Sequence, residues 1–131
     1  MDTRANIGLR ETIIRAYVSA YNGFDIEKMV EDLDDSIIFE NIQNNTVLLR
    51  LDGIAAFKEQ AKGAASFFME RNQKISLINH RVEFTEVEIN YSAILAADLG
   101  NLKAGTRIQL KGKSIFQFND RNKIIAIRDI S

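Results

Sequence analysis

The stretch "RAYVSAYNGFDIEKMVEDLDDSIIFEN", residues 15–41, changes its hydrophobic period once, and that change organises the rest of the chain. Up to Tyr21 the apolar residues recur every three or four positions. With the turn before them, Leu9, Ile13, Ala16, Tyr17, Ala20 and Tyr21 predict an amphipathic helix over residues 8–22. Gly23 is placed to end it. Asp25 is placed to cap a second helix, because its carboxylate can accept an otherwise unpaired backbone N–H. Ile26, Met29, Val30 and Leu33 form that helix's stripe, and "DLDD" closes it. From there the period falls to two. Ile37, Phe39 and Asn41 share one face of a strand over 36–42, with Ile38 and Glu40 opposite. An otherwise apolar face ends in an amide, which marks Asn41 as a polar side chain turned toward whatever the strand covers.

Downstream, residues 46–50 read as a second short strand. It is joined to the first by "QNN", residues that tolerate left-handed backbone. Asp52 and Gly53 open a third helix with the stripe Ile54, Phe57, Ala61, Ala64 and Phe68. Residues 73–84, 87–98, 107–118 and 123–130 alternate or are rich in β-branched side chains, so they read as four strands. Their connections are "TE", "LGNLKAG" and "NDRN", of hairpin length or slightly longer. The order is α-α-β-β-α-β-β-β-β. Helices in the first half before an antiparallel sheet indicate an α+β fold. A strongly curved antiparallel sheet closed by the three helices leaves a cone-shaped pocket. There is no linker, repeat or low-complexity segment, so residues 1–131 are expected to form a single domain.

Composition narrows the function classes. The formal net charge is −1, from 17 basic and 18 acidic residues, and the basic residues form no run. Neither nucleic acid nor an anionic membrane is an expected partner. Hydrophobic residues make up 46% and charged residues 27%, ordinary for a globular protein. Cys is absent, which excludes disulfides and thiolate chemistry. No window is apolar enough to span a bilayer, and "MDTRANIGLRETIIRAY" lacks the apolar core of a signal peptide. A cytoplasmic protein is expected. One His and scattered carboxylates offer no metal site, and Gly100 and Gly105 lack the strand–loop–helix context of a phosphate loop. No metal and no cofactor are expected.

Strand phase nominates the pocket residues. In 107–118, Leu110, Gly112, Ser114, Phe116 and Phe118 share the inner face, because Gln109, Lys111, Lys113 and Gln117 occupy the other. In 73–84, Ile78, His80, Val82 and Phe84 form the more apolar face, which turns the single His inward. In 87–98 the inner phase is Val87, Ile89, Tyr91, Ala93 and Leu95. In 123–130 both phases are apolar, one being Ile125, Ile127 and Asp129 and the other Ile124, Ala126, Arg128 and Ile130, so phase alone leaves that strand open.

Taken with "LDGIAAFKEQ", "RVEFTEVEINYSAIL" and "GKSIFQFNDRNKIIAIRDI", the opening stretch resembles the nuclear-transport-factor-2-like (NTF2-like) superfamily. That group includes the ketosteroid isomerases and the SnoaL-like polyketide cyclases. The resemblance covers nearly the whole chain and is more specific for fold than for function, since this fold hosts many activities. It implies that Ile127 and Asp129 face inward, and that Asp129 matches the catalytic Asp carried on the last strand by SnoaL-like cyclases. Tyr17 falls where ketosteroid isomerases keep a Tyr donor to the enolate oxygen. Asn41 falls where they keep the Asp base, and Ser114 where they keep a second, protonated Asp. An amide takes no proton at neutral pH, so ketosteroid isomerase activity is not expected.

The candidate site is therefore Asp129, His80 and Tyr17 for proton chemistry, with Asn41, Tyr21, Phe57, Tyr91, Ser114 and Phe116 around the ligand. Each of these also has a packing role open to it. The Tyr residues lie in a core stripe, Asn41 sits at a strand end, and His80 is a lone His on an apolar face. A carboxylate at Asp129 must be paired or have a raised pKa if its strand face is inner. Three functions are compatible with these residues. One is an acid–base enzyme isomerising, cyclising or dehydrating a small lipophilic carbonyl compound. The second is a binding module of the same fold without catalysis. The third is a homodimeric interaction protein using the outer sheet face, where Ile94, Ala96, Ile115, Ile124 and Ile130 mix with Lys and Gln.

Overall fold

The computed structural model describes residues 3–131, with side chains from Asn6 onward, so the leading Met1 and Asp2 lie outside the described residues. Residues 15–41 fold as their periods predict. α1 runs Thr3–Asn22, α2 is the short Ile26–Val30, and β1 is Leu33–Gln43. The buried face of α1 is Ile13, Ile14, Tyr17, Val18 and Ala20, while Leu9 is 49% exposed and Ala16 points outward. The helix is rotated from the expected stripe toward Ile14 and Val18, which face the sheet along its central turns.

The end of α1 is a Schellman turn. Asp25 N donates to Ala20 O at 2.9 Å and Phe24 N to Tyr21 O at 3.2 Å. Its left-handed residue is Phe24, with φ 58°, rather than Gly23. Asp25 then caps α2 by accepting from Lys28 N at 3.1 Å, as its position predicts. α2 stops after five residues, and Leu33 of its expected stripe already belongs to β1.

β1 turns into β2 (Thr46–Asp52) through Asn44 and Asn45, whose φ values of 50° and 63° are those a tight hairpin needs. α3 covers Ile54–Ala65 and ends earlier than its stripe suggests. Ser66 Oγ donates to Gly63 O at 2.7 Å, so a side chain takes a carbonyl the next turn would use. Phe68 is released to begin β3 (Phe68–His80), and β4 follows at Thr85–Leu95. The hairpin between them turns at residues 81–84, where Arg81 N donates to Phe84 O at 2.8 Å, and not at "TE". Val82 is consequently at the tip and 84% exposed, not on an inner face. β5 (Arg107–Phe118) and β6 (Ile124–Ile130) match the sequence reading within a residue.

The six strands form one sheet in the order β2-β1-β6-β5-β4-β3. The α+β class and the element order are as expected, but the sheet is mixed. Four neighbouring pairs are antiparallel and β1–β6 is parallel. α3 carries the chain from one edge of the sheet to the other, and after three further reversals β6 returns alongside β1 in the same direction. The helices close the concave face of this curled sheet over a core of Ile14, Ile37, Val87, Phe116, Ile124 and Ile127. Ile124 corrects the sequence reading. It is fully buried rather than on the outer face, because register shifts at Leu33/Ile38 and Gln117/Phe118 change the phase where β6 begins.

Candidate functional site

β1 and β6 run side by side with Asn41 opposite Asp129, and β5 places Ser114 opposite Asp129 from the other side. The sheet thus aligns three polar side chains on its concave face. Ser114 Oγ donates to Asp129 Oδ1 at 2.6 Å. Asp129 itself is half-buried. Burial pushes its pKa up to about 6, and the hydroxyl of Ser114 pulls the other way. The Asn41 amide has no hydrogen-bond partner among the described residues, so it is not absorbed by capping its own strand end.

Two cavities meet at Asp129, Asn41 and Tyr21. The inner one, about 180 Å³, lies under α1 and α3 and is lined by Tyr17, Met29, Phe39, Leu51, Phe57 and Ala61. The second, about 200 Å³, opens along the middle of β4 and β5 and the end of β6, past Tyr91, Gly112 and Ser114. Aromatic edges wall the inner space. Phe57 meets Phe39 at 5.7 Å and Tyr17 at 6.5 Å, and Tyr17 stands edge-on to Phe116 at 5.8 Å. Tyr21 and Tyr91 share a hydrogen bond of 2.9 Å between their hydroxyls where the cavities join. Burial raises the pKa of all three tyrosines, with the nearby Asp129 charge adding to the effect at Tyr17 and Tyr21, so they remain protonated donors.

Eight of the nine sequence-nominated residues converge here. Asp129, Asn41, Tyr17, Tyr21, Phe57, Tyr91 and Ser114 line the cavities, and Phe116 backs Tyr17. His80 does not. It sits at the β3–β4 turn with Nδ1 3.1 Å from Thr85 Oγ1 and Nε2 3.6 Å from a Glu11 carboxylate oxygen, and it lines neither cavity. Its inward phase is right, but the shifted hairpin takes it to the far end of the sheet. Arg128 and Glu40, as expected, are outer-face residues paired at 2.9 Å.

One residue of the site escaped the sequence reading. Arg71 is only 5% exposed and lines the inner cavity. A register shift between Ile75 and Leu77 reverses the phase of β3, so Arg71, Gln73 and Ile75 face inward although Ile78 and His80 do too. The strand also starts five residues earlier than alternation suggests. Alternation carried back from Ile78 and His80 puts Arg71 outside, and no local residue signals the shift.

No protein-family model matches the sequence, and a search of curated proteins finds no match. Solved structures do match it. A presumed polyketide cyclase from Xanthomonas campestris pv. campestris superposes with a TM-score of 0.81 at 17% identity, covering 96% of this chain and 92% of that one. An LEH-like epoxide hydrolase of M. tuberculosis gives 0.72 at 18% identity, covering 91% and 79%. An NTF2-like protein of unknown function from Exiguobacterium sp. 255-15 gives 0.71 at 14% identity, covering 89% and 95%. Identities this low speak to architecture alone. The sheet order, the three closing helices and these superpositions together establish that the chain has the cone-shaped NTF2-like fold.

Proposed function

We propose that the protein is a cofactor-independent acid–base enzyme that isomerises, cyclises or dehydrates a small lipophilic carbonyl compound. The observation that carries this reading is Asp129: a half-buried carboxyl held by Ser114, with a pKa pushed up to about 6, opening onto an aromatic cavity. A carboxyl with that pKa gives and takes protons at neutral pH. Asp129 removes a proton from the carbon next to the substrate carbonyl. The C–H bond breaks, its electron pair moves into the developing enolate, and the proton resides on the carboxyl until it is returned at another position or passed to a leaving hydroxyl. Tyr17 and Asn41 donate hydrogen bonds to the oxygen that gains charge. Asn41 takes no proton, so Asp129 performs the work given to the first-strand acid in the ketosteroid isomerases. The naming of one structural neighbour as a presumed polyketide cyclase is in keeping with chemistry of this kind.

The test has two steps. A thermal-shift screen against steroids, polyketide-like aromatics, terpenoid epoxides and fatty acids selects a ligand class, a ligand at 100 times its Kd stabilising by about 2.7 kcal/mol. Turnover of the selected class is then compared in the wild type and Asp129→Asn. A loss of roughly 100- to 10,000-fold with the fold intact is expected; unchanged turnover contradicts the proposal.

The uncommitted amide of Asn41 favours a second reading, a binding module in which no proton moves. It expects binding without turnover, retained in Asp129→Asn and lost when Ala61, on the cavity wall, is replaced by Trp. Under either reading we propose a cytoplasmic homodimer built on the outer sheet face. Ile94, Ile115 and Ile130 remain half-exposed there beside the Arg128–Glu40 pair. Light scattering at high concentration is expected to give twice the chain mass, and a strictly monomeric mass contradicts it.

A further inference from the structure

Arg71 is built into the wall of the inner cavity with part of its guanidinium left unused. Its Nε donates to Tyr21 O at 2.8 Å. The guanidinium carbon lies 3.7 Å from the centre of the Tyr21 ring and 4.5 Å from that of Phe24. Nη2 is buried and has no hydrogen-bond partner. Nor does Arg71 form an ion pair with any described residue; the carboxyl of Asp129 is held by Ser114 and shows no lowering from this cation. A buried cation without an anion is costly, and stacking between two rings offsets only part of that cost.

The surroundings fix this arrangement. Phe24 holds its ring over the guanidinium from a left-handed backbone, φ 58°, a conformation a bulky residue rarely adopts. Asn22 clamps the end of α1 to β3, its Oδ1 accepting from Gln73 N at 2.7 Å and its Nδ2 donating to Gln73 O at 3.1 Å. The helix end, the stacked rings and the strand therefore hold the guanidinium in the cavity wall, with its Nη edge free of hydrogen-bond partners among the described residues. Such an edge matches a carboxylate better than any other common small-molecule group.

We propose that Arg71 is a carboxylate anchor, so that the ligand of this cavity is a small lipophilic acid, held by its carboxylate at Arg71 with its apolar body among the aromatic walls. This rests on the proposed function in placing the ligand's reacting carbon at Asp129, but not for the binding itself. The inner cavity, about 180 Å³, is below the roughly 300–1,000 Å³ of drug-sized sites, which limits the acid to one or two rings. Arg71 binds and orients; it moves no proton.

The experiment is calorimetric titration of wild type, Arg71→Met and Asp129→Asn with benzoic, cinnamic and naphthoic acids, each against its own primary amide. The amide keeps the shape and removes the charge. Wild type is expected to bind at least one acid roughly 10- to 100-fold more tightly than its amide, and Arg71→Met to lose that preference. Asp129→Asn is expected to keep it. Arg71→Met should fold, since removing an unpaired buried cation relieves a cost, and the acid–amide comparison in wild type stands without the variant in any case. Equal binding of acid and amide, binding of no acid, or a preference that survives Arg71→Met overturns the anchor. Turnover that survives Asp129→Asn overturns the catalytic reading while leaving the anchor standing, so the two fail separately.

Discussion

At Asp129, burial and the Ser114 hydroxyl act in opposite directions on one proton. Burial penalises the charged carboxylate, and the hydroxyl stabilises it by donating. Ser114→Ala removes only the second, so the midpoint of the pH–rate profile should move up from about 6 by roughly one unit. A midpoint that stays or falls would show that Ser114 is not what holds the carboxylate. Asn41 was legible from strand alternation, and Asp129 from the resemblance alone, because both phases of its strand are apolar. Arg71 was not legible, because a single extra residue in β3 reverses which side chains face inward before Leu77. His80 faces inward as its phase predicts, but the hairpin at residues 81–84 leaves it at the far end of the sheet, away from the cavities.

Among elements, the β5–β6 pairing sets the site most tightly. A side chain on Gly112 would bring a Cβ within 2.8 Å of Ile130 O, so the strands approach there as only glycine allows. Gly112→Ala is expected to destabilise by about 1–3 kcal/mol, read as a fall in Tm, and to loosen the Ser114–Asp129 contact two residues along. Unaltered stability would mean that β6 shifts freely, and that the Asp129 geometry is not fixed by β5. The existence and type of every element were readable from the sequence. Boundaries failed where a local hydrogen bond overrode the pattern. Ser66 stopped α3 early, and the Arg81–Phe84 backbone turn moved the β3–β4 hairpin. The end of α1 was foreseen at the right place but through the wrong residue, because a Phe takes the left-handed position that usually falls to Gly.

For the whole molecule, the parallel β1–β6 pair is what brings Asn41 beside Asp129, joining strands far apart in the sequence. Nothing local announces such a pairing, so the sequence read as wholly antiparallel while the resemblance still gave the cone. The half-buried carboxyl also costs stability. A folded pKa of about 6 against an unfolded 3.8 means the folded state holds the proton more strongly. Stability therefore falls as pH rises from near 4 to above 6, by about 3 kcal/mol. Asp129→Asn should raise the Tm at pH 7 to 8 by roughly 5–15 °C, with the gain vanishing below pH 4. A gain independent of pH would place its origin elsewhere. The most direct measurement is a carbon-NMR titration of the Asp129 carboxyl, assigned by the resonance lost in Asp129→Asn. The account predicts a midpoint about 6, the value of a group poised to exchange protons inside the cone. A midpoint at or below the ordinary 3.8 would contradict it, leaving a solvated carboxylate and no proton-transfer group in the cavity.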